Sequence, residues 1–201
     1  MQRLSLIILS IFSLQQLQAQ DHADQIVVDM LDMVESYNPY KVDIEVMYEN
    51  TSISGYYEVD DMNYYIAIDQ QELYGNQSVK YEVFNGRKEV IIDSVSVGYD
   101  GNILNNPATA FASIRDYYSS SIISENDKTF LVSLSPRDNV DNPSDTIELI
   151  IEKSTMLPSK IIYKFGGTEV SIKIVNIENI PSSITLYNSD KYVDYEIIDF
   201  R

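Results

Sequence analysis

Catalysis and metal binding call for particular side chains, and this 201-residue chain carries few of them. It has no Cys and one His, His22. A Ser–His–Asp arrangement would have to use His22 as its base. That residue stands just ahead of the first apolar turn, where a solvated imidazole near the chain start is the plainer reading. One His leaves no second imidazole for a metal. Carboxylates lie close together at Asp60-Asp61 and at Asp138, Asp141 and Asp145. A Ca²⁺ loop alternates its ligands around a Gly and closes with a bidentate Glu. Asn139, Asp141 and Asp145 lack that pattern and read as a polar loop. Gly86, Gly98 and Gly101 are followed by neither Lys nor a helix start in the order a phosphate cradle needs. A carboxylate pair can hydrolyse a glycoside, but with 31 Asp and Glu in the chain a pair singles out nothing. The expectation is no catalytic centre, no metal, no cofactor and no enzyme.

The start of the chain reads as a leader. Arg3 is a basic n-region, Leu4 to Leu14 an apolar h-region, and Ala19 a small residue before a cut ahead of Gln20. The apolar run is too short to span a bilayer, so residues 1–19 are expected to be a cleaved signal peptide. There is no Cys to carry a lipid or a disulfide. A soluble exported protein held by its core alone is expected. Residues 20–201, about 180 in all, suit one domain. The 14 Lys and Arg against 31 Asp and Glu leave a net charge of −17. Such a field repels nucleic acid and anionic headgroups and favours a monomer.

What positions the side chains is a change of period. Between Asp21 and Tyr37, Ile26, Met30, Met33 and Tyr37 recur at helical spacing, with Val27, Leu31 and Val34 widening the stripe. Asn38-Pro39 ends that helix. The period then becomes two. Val42, Ile44, Val46 and Tyr48 share a strand face, as do Met62, Tyr64, Ile66 and Ile68, and then Val79, Tyr81 and Val83. Asp60-Asp61, Gly75-Asn76, Asn85-Gly86 and Gly166-Gly167 are turn signals. Asn105 to Tyr118 is a second helix, with Asn106 as cap, Pro107 in the first turn, and Ala108, Phe111, Ala112 and Arg115 as its stripe. Strand-like segments follow at 119–124, 129–134, 145–152, 158–165 and 168–178. Short strands joined by hairpins argue for an antiparallel sheet that curls, its apolar face lidded by helices.

The order of several segments resembles the periplasmic carriers of outer-membrane lipoproteins, the LolA-like family. They are Gly55-Tyr56-Tyr57, Met62 to Ile66, Tyr81 to Gly86, Lys88 to Asp93, Asn105-Asn106-Pro107, Leu134 to Arg137, Ile147 to Glu152 with Leu157-Pro158, and Tyr195 to Arg201. The resemblance implies a mainly β fold with an α lid: an incomplete antiparallel β-barrel covered by two or three short helices. It implies a cargo of lipoprotein acyl chains, received from an ATP-driven inner-membrane exporter and passed to an unidentified outer-membrane acceptor. The wall of the apolar cavity is then expected from Val42, Ile44, Val46, Tyr57, Tyr64, Ile66, Tyr81 and Val83. The lid is expected from Met30, Met33, Val34 and Phe111. Where the family places an Arg that latches the lid, this chain has Tyr65, which cannot make a charged, forked contact. A binding module or envelope sensor on the same fold is the alternative.

Overall fold

The computed structural model describes residues 21–95, 102–137, 146–181 and 183–201. The expected leader, Gly98, Gly101 and the Asp138–Asp145 loop lie outside them. Helix α1 runs over residues 21–35. Strands β1 (Tyr40–Tyr48), β2 (Thr51–Asp60), β3 (Asn63–Ile68), β4 (Gln71–Gly75), β5 (Val79–Phe84) and β6 (Glu89–Ser94) form one meander. Helix α2 (Pro107–Tyr117) crosses to a second meander: β7 (Tyr118–Glu125), β8 (Thr129–Pro136), β9 (Thr146–Glu152), β10 (Pro158–Phe165) and β11 (Thr168–Asn179). A 3-10 turn (Ser189–Tyr192) leads to β12 (Glu196–Asp199).

The sheet order is β12-β6-β5-β4-β3-β2-β1-β11-β10-β9-β8-β7. Neighbours are antiparallel except β12 with β6. The two meanders join where β1 pairs with β11, from Tyr40 opposite Asn179 to Tyr48 opposite Val170. The edges β12 and β7 do not pair, so the sheet is an open half-barrel. This is the architecture that the LolA-like resemblance implies.

Both helices pack on the concave face. The α1 stripe is Ile26, Val27, Met30, Leu31 and Val34, all buried against inner side chains such as Val42, Ile44 and Tyr57. The inner faces of β8, β9 and β10 join the same core through Leu134, Leu149 and Ile161. At Gly166 and Gly167, φ is +56° and +81°. That conformation suits a tight primed turn and few residues other than Gly. The Asn85-Gly86 hairpin differs from its two-residue signal. The loop takes four residues, and Lys88 instead of Gly86 holds the positive φ.

Leu149 is fully buried beneath the helices. Leu149→Ala is expected to lower the unfolding free energy by about 2–5 kcal/mol through lost burial and a residual cavity. Urea denaturation followed by circular dichroism measures it.

Candidate ligand-binding groove

The register across β2 to β6 arranges the concave face in rows. Val59, Tyr64, Gly75, Lys80 and Asp93 stand opposite one another in successive strands. The next row is Tyr57, Ile66, Leu73, Glu82 and Ile91. The first row starts apolar under the helices and turns charged at Lys80 and Asp93; the second meets one charge, Glu82, before ending in Ile91. A cavity of about 510 Å³ lies along this gradient, between the sheet and the head of α2. Met62, Tyr64 and Leu73 line its apolar side; Lys80, Glu82 and Asp93 line its charged side. A second cavity of about 160 Å³ shares Leu73, Glu82 and Asn105 with it and adds Ile66, Ile68 and Phe84. The larger volume is within the range of small-ligand sites.

Gly75 shapes the wall. A Cβ there would meet the Tyr64 ring at 2.1 Å. The ring therefore lies over the Gly75 backbone, at the boundary between the filled core and the groove. On the charged side, the Lys80 ammonium donates to Glu82 Oε1 at 2.7 Å. Asp93 Oδ1 accepts from the Ser94 N–H at 2.8 Å.

The head of α2 forms the opposite bank. Ile103 is fully buried, and its N–H donates to the Tyr163 hydroxyl at 3.1 Å. The Asn105 and Asn106 N–H groups both donate to the Asn102 carbonyl. Asn106 Oδ1 accepts from the Thr109 N–H at 3.2 Å, the cap expected from the sequence. This short segment fixes Asn105, Asn106 and Thr109 over the groove.

The expected wall residues divide. Val42, Ile44, Tyr57, Tyr64 and Ile66 are buried on the concave side in one core, with Val46 packed against it. Tyr64 and Ile66 also reach the open groove. Burial pushes the Tyr57 phenol well above its ordinary range, so it stays neutral. Tyr81 and Val83 belong to the other face, in a second core on the outside of the sheet. Their concave neighbours in β5 are Lys80 and Glu82. Strand β4, which the turn signals alone did not reveal, sets that assignment by pairing Tyr74 with both Tyr65 and Tyr81.

Among the lid residues, Met30, Val34 and Phe111 point into the core, whereas Met33 is 37% exposed on the outer side of α1. The buried residues of α2 are Pro107, Ala110, Phe111, Ser113 and Ile114; of the expected stripe, Phe111 is buried and Ala108 packs against the core, whereas Ala112 and Arg115 are exposed. Arg115 is turned outward, donating to Asp32 Oδ1 of α1 at 2.9 Å. Asp24 of α1 accepts from the Ser120 N–H at 3.2 Å and from its hydroxyl. Tyr65 also lies on the outer face, so it does not latch the helices. Arg115 and Ser120 tie α1 instead. His22 is exposed, with its ring edge-on to Phe130.

The half-barrel is a shared fold. An uncharacterized conserved protein from Thermus thermophilus superposes with a TM-score of 0.54 at 9% identity, over 85% of this chain and 97% of that one. A DUF1329 family protein from Desulfovibrio piger superposes with a TM-score of 0.52 at 10% identity, over 87% and 99%. A LolA superfamily protein from Nitrosomonas europaea fits more loosely, at 0.46, with 10% identity over 84% and 98%, and carries no weight of its own. No family model and no curated protein matches the sequence. Among the described residues, no helix is long and apolar enough to cross a membrane.

The outer core is a cluster of tyrosines. Tyr65, Tyr74 and Tyr81 stand in one row across β3 to β5, and Tyr187, Tyr192 and Tyr195 of the C-terminal segment cover them. Tyr81 and Tyr187 stack with centroids 3.9 Å apart. At the centre, Glu72 accepts from the Tyr65 and Tyr192 hydroxyls, each at 2.7 Å. Partial burial alone would raise the Glu72 carboxyl. The hydrogen bonds from Tyr192, Tyr65 and Asn85, with the field of Lys191, outweigh it and hold the carboxyl below its usual range. Burial, with hydrogen bonding to carboxylate or phenol, pushes the Tyr65 and Tyr192 hydroxyls far up. This cluster fastens the C-terminal segment to the outer face of the sheet.

Two outcomes follow. Gly75→Ala is expected to displace the Tyr64 ring and change the groove, seen as a shift of the Tyr64 ring signals in NMR spectra. For the outer cluster, the lowered Glu72 pKa stabilises above the unfolded carboxylate range, and that contribution disappears as pH falls through the folded value. The raised tyrosine pKa values stabilise below the unfolded phenol range, and their contribution disappears as pH rises beyond it. Stability is therefore expected to plateau between about pH 5 and 10. Tyr192→Phe should lower that plateau by about 1–3 kcal/mol and soften its acid limb, read from denaturant midpoints against pH.

Proposed function

We propose that the protein is a periplasmic carrier that holds the acyl chains of lipoproteins in the concave groove, between an inner-membrane exporter and an outer-membrane acceptor. The supporting observation is that Tyr64 and Ile66 belong both to the open groove and to the apolar core beneath α1 and α2. The groove thus leads into an interior that helices fill with side chains and no covalent link. An acyl chain gains roughly 0.8 kcal/mol per buried CH₂. Replacing the α1 stripe by an acyl chain exchanges one apolar contact for another and strands few polar groups. The ties that must loosen are mainly the exposed Arg115–Asp32 pair and the Asp24–Ser120 contact. Exposed ion pairs contribute only about 0–1 kcal/mol. Loading and release on this reading need no bond chemistry, and the protein is a monomer and not an enzyme.

One observation favours the alternative of an envelope sensor or binding module. Tyr65 faces away from the helices, so the lid lacks the family's latch. Carriage and sensing differ in transfer. The test is lipid extraction and native mass spectrometry of the exported protein, followed by binding of an acylated peptide and its release to outer-membrane vesicles. Bound acyl chains with release to vesicles support the carrier. Bound chains retained by the protein favour the sensor. A protein free of lipid that ignores the acylated peptide contradicts both.

A further inference from the structure

A second cavity with unmatched polar groups lies on the other face of the sheet, away from the concave groove. Ile161 and Ile172 belong to the inner core, so their strand neighbours Lys160 and Ser171 face outwards. There a cavity of about 360 Å³ is lined by Met47, Tyr48, Glu49, Lys160, Glu169 and Ser171. Ser171 is only 5% exposed, and its Oγ is buried with no hydrogen-bond partner among the described residues. An unpaired buried hydroxyl is costly in a closed core and useful where a ligand supplies the partner. Lys160 is the second unmatched group. On the same face Lys41 pairs with Asp43, Lys164 with Glu148 and Lys173 with Glu45, whereas among the described residues Lys160 pairs with no carboxylate. A free ammonium stands out in a chain with 31 acidic residues against 14 Lys and Arg. The register brings the two groups together. Ser171 stands opposite Ile162, so Lys160 is its diagonal neighbour in β10, at a Cβ spacing of roughly 7–8 Å that a long side chain spans.

The other lining groups narrow the ligand. Glu169 shares the outer face of β11 with Ser171, and Glu49 stands in the turn after β1. Among the described residues, neither carboxylate has an ion-pair or hydrogen-bond partner. A ligand carboxylate thus finds donors in Lys160 and Ser171, and a ligand ammonium finds acceptors in Glu49 and Glu169. A phosphate would meet one cation and two carboxylates inside the field of a chain with net charge −17. A simple cation would meet the charge of Lys160. Met47 and Tyr48, 43% and 46% exposed, offer apolar surface beside these charges, and Met adapts its shape to what it covers. We propose that this outer cavity binds the zwitterion of an apolar α-amino acid, free or at the ends of a dipeptide. The carboxylate accepts from Lys160 Nζ and Ser171 Oγ, the ammonium donates to Glu169 or Glu49, and the apolar side chain covers Met47 and Tyr48. Met47 lies opposite Ser171 where β1 pairs with β11, so the ligand bridges the two meanders from outside.

Amide chemical-shift titration of the protein by NMR tests the proposal with L-phenylalanine, the dipeptide L-alanyl-L-phenylalanine, N-acetyl-L-phenylalanine, L-phenylalaninamide and inorganic phosphate. Phenylalanine or the dipeptide is expected to shift the Gly167, Thr168 and Ser171 signals with a Kd of about 1 mM or tighter. Tighter binding of phenylalanine assigns the site to a free amino acid and tighter binding of the dipeptide to a peptide; either order supports the proposal. The acetyl derivative, which lacks the ammonium, and the amide, which lacks the carboxylate, are each expected to bind about tenfold more weakly. Phosphate should leave the three signals in place. Lys160→Gln should erase the preference for phenylalanine over its amide. Ser171→Ala should weaken phenylalanine about fivefold without lowering the thermal midpoint of the free protein, because the lost hydroxyl has no partner in the fold. A purely structural role for Ser171 would not separate binding from stability in this way. Equal binding of phenylalanine and its amide, shifts at Tyr64 in the concave groove instead, or no shifts with phenylalanine and the dipeptide overturns the proposal. The reading of the concave groove stands apart from each of these results.

Discussion

The pairing of β1 with β11 is the constraint on which the rest depends. It joins residues 40–48 to residues 170–179 and makes one sheet of two meanders that are otherwise local. Val42 faces Ile177, Ile44 faces Ile174 and Val46 faces Ile172, with one irregularity after Asp43. A slip of one residue would turn these side chains to the other face. The floor beneath α1 would then be lost. The open outline also follows from this seam. Each meander grows away from it, and the outer edges, β7 and β12, end far apart in the strand order.

A sheet with two apolar faces needs two covers, and the chain builds them differently. On the outside, the C-terminal segment is held by directional bonds to Glu72 and by stacked rings. On the inside, α1 and α2 are held mainly by apolar packing, with a few polar ties at their margins. Hydrogen-bonded networks specify one geometry. Apolar packing is non-directional and tolerates exchange of one apolar partner for another. The groove opens where the inner cover stops, beside the head of α2. On the proposed reading, the directional outer cover and the non-directional inner cover together suit a container whose wall stays fixed as its filling changes.

The strand pattern made much of the inner wall legible. Period two in β1 and β3 placed Val42, Ile44, Tyr64 and Ile66 on shared faces, and the Asn106 cap was readable from Asn-Pro alone. Periodicity defines a face but not which side of the sheet it joins. That choice propagates through register, and β4, five residues long, carries it from β3 to β5. Without β4, Tyr81 and Val83 read as inner wall. One signal did mark the second core. Asn63-Tyr64-Tyr65-Ile66-Ala67-Ile68 is almost continuously apolar, as expected of a strand covered on both faces. Half of the expected α2 stripe, Ala108 and Phe111, faces the core, whereas Ala112 and Arg115 are exposed. Ile114, which that stripe omits, is buried and shifts the packed side of the helix towards Ala110.

The central claim is that acyl chains occupy the concave groove and extend towards the core under the helices. Cross-relaxation NMR between a bound N-hexadecanoyl peptide and the protein tests it most directly. The account predicts contacts from the chain methylenes to the Tyr64 ring and the Leu73 and Ile66 methyl groups. Contacts instead to Tyr81 or Tyr187 on the outer face, or none to the groove residues, would contradict it.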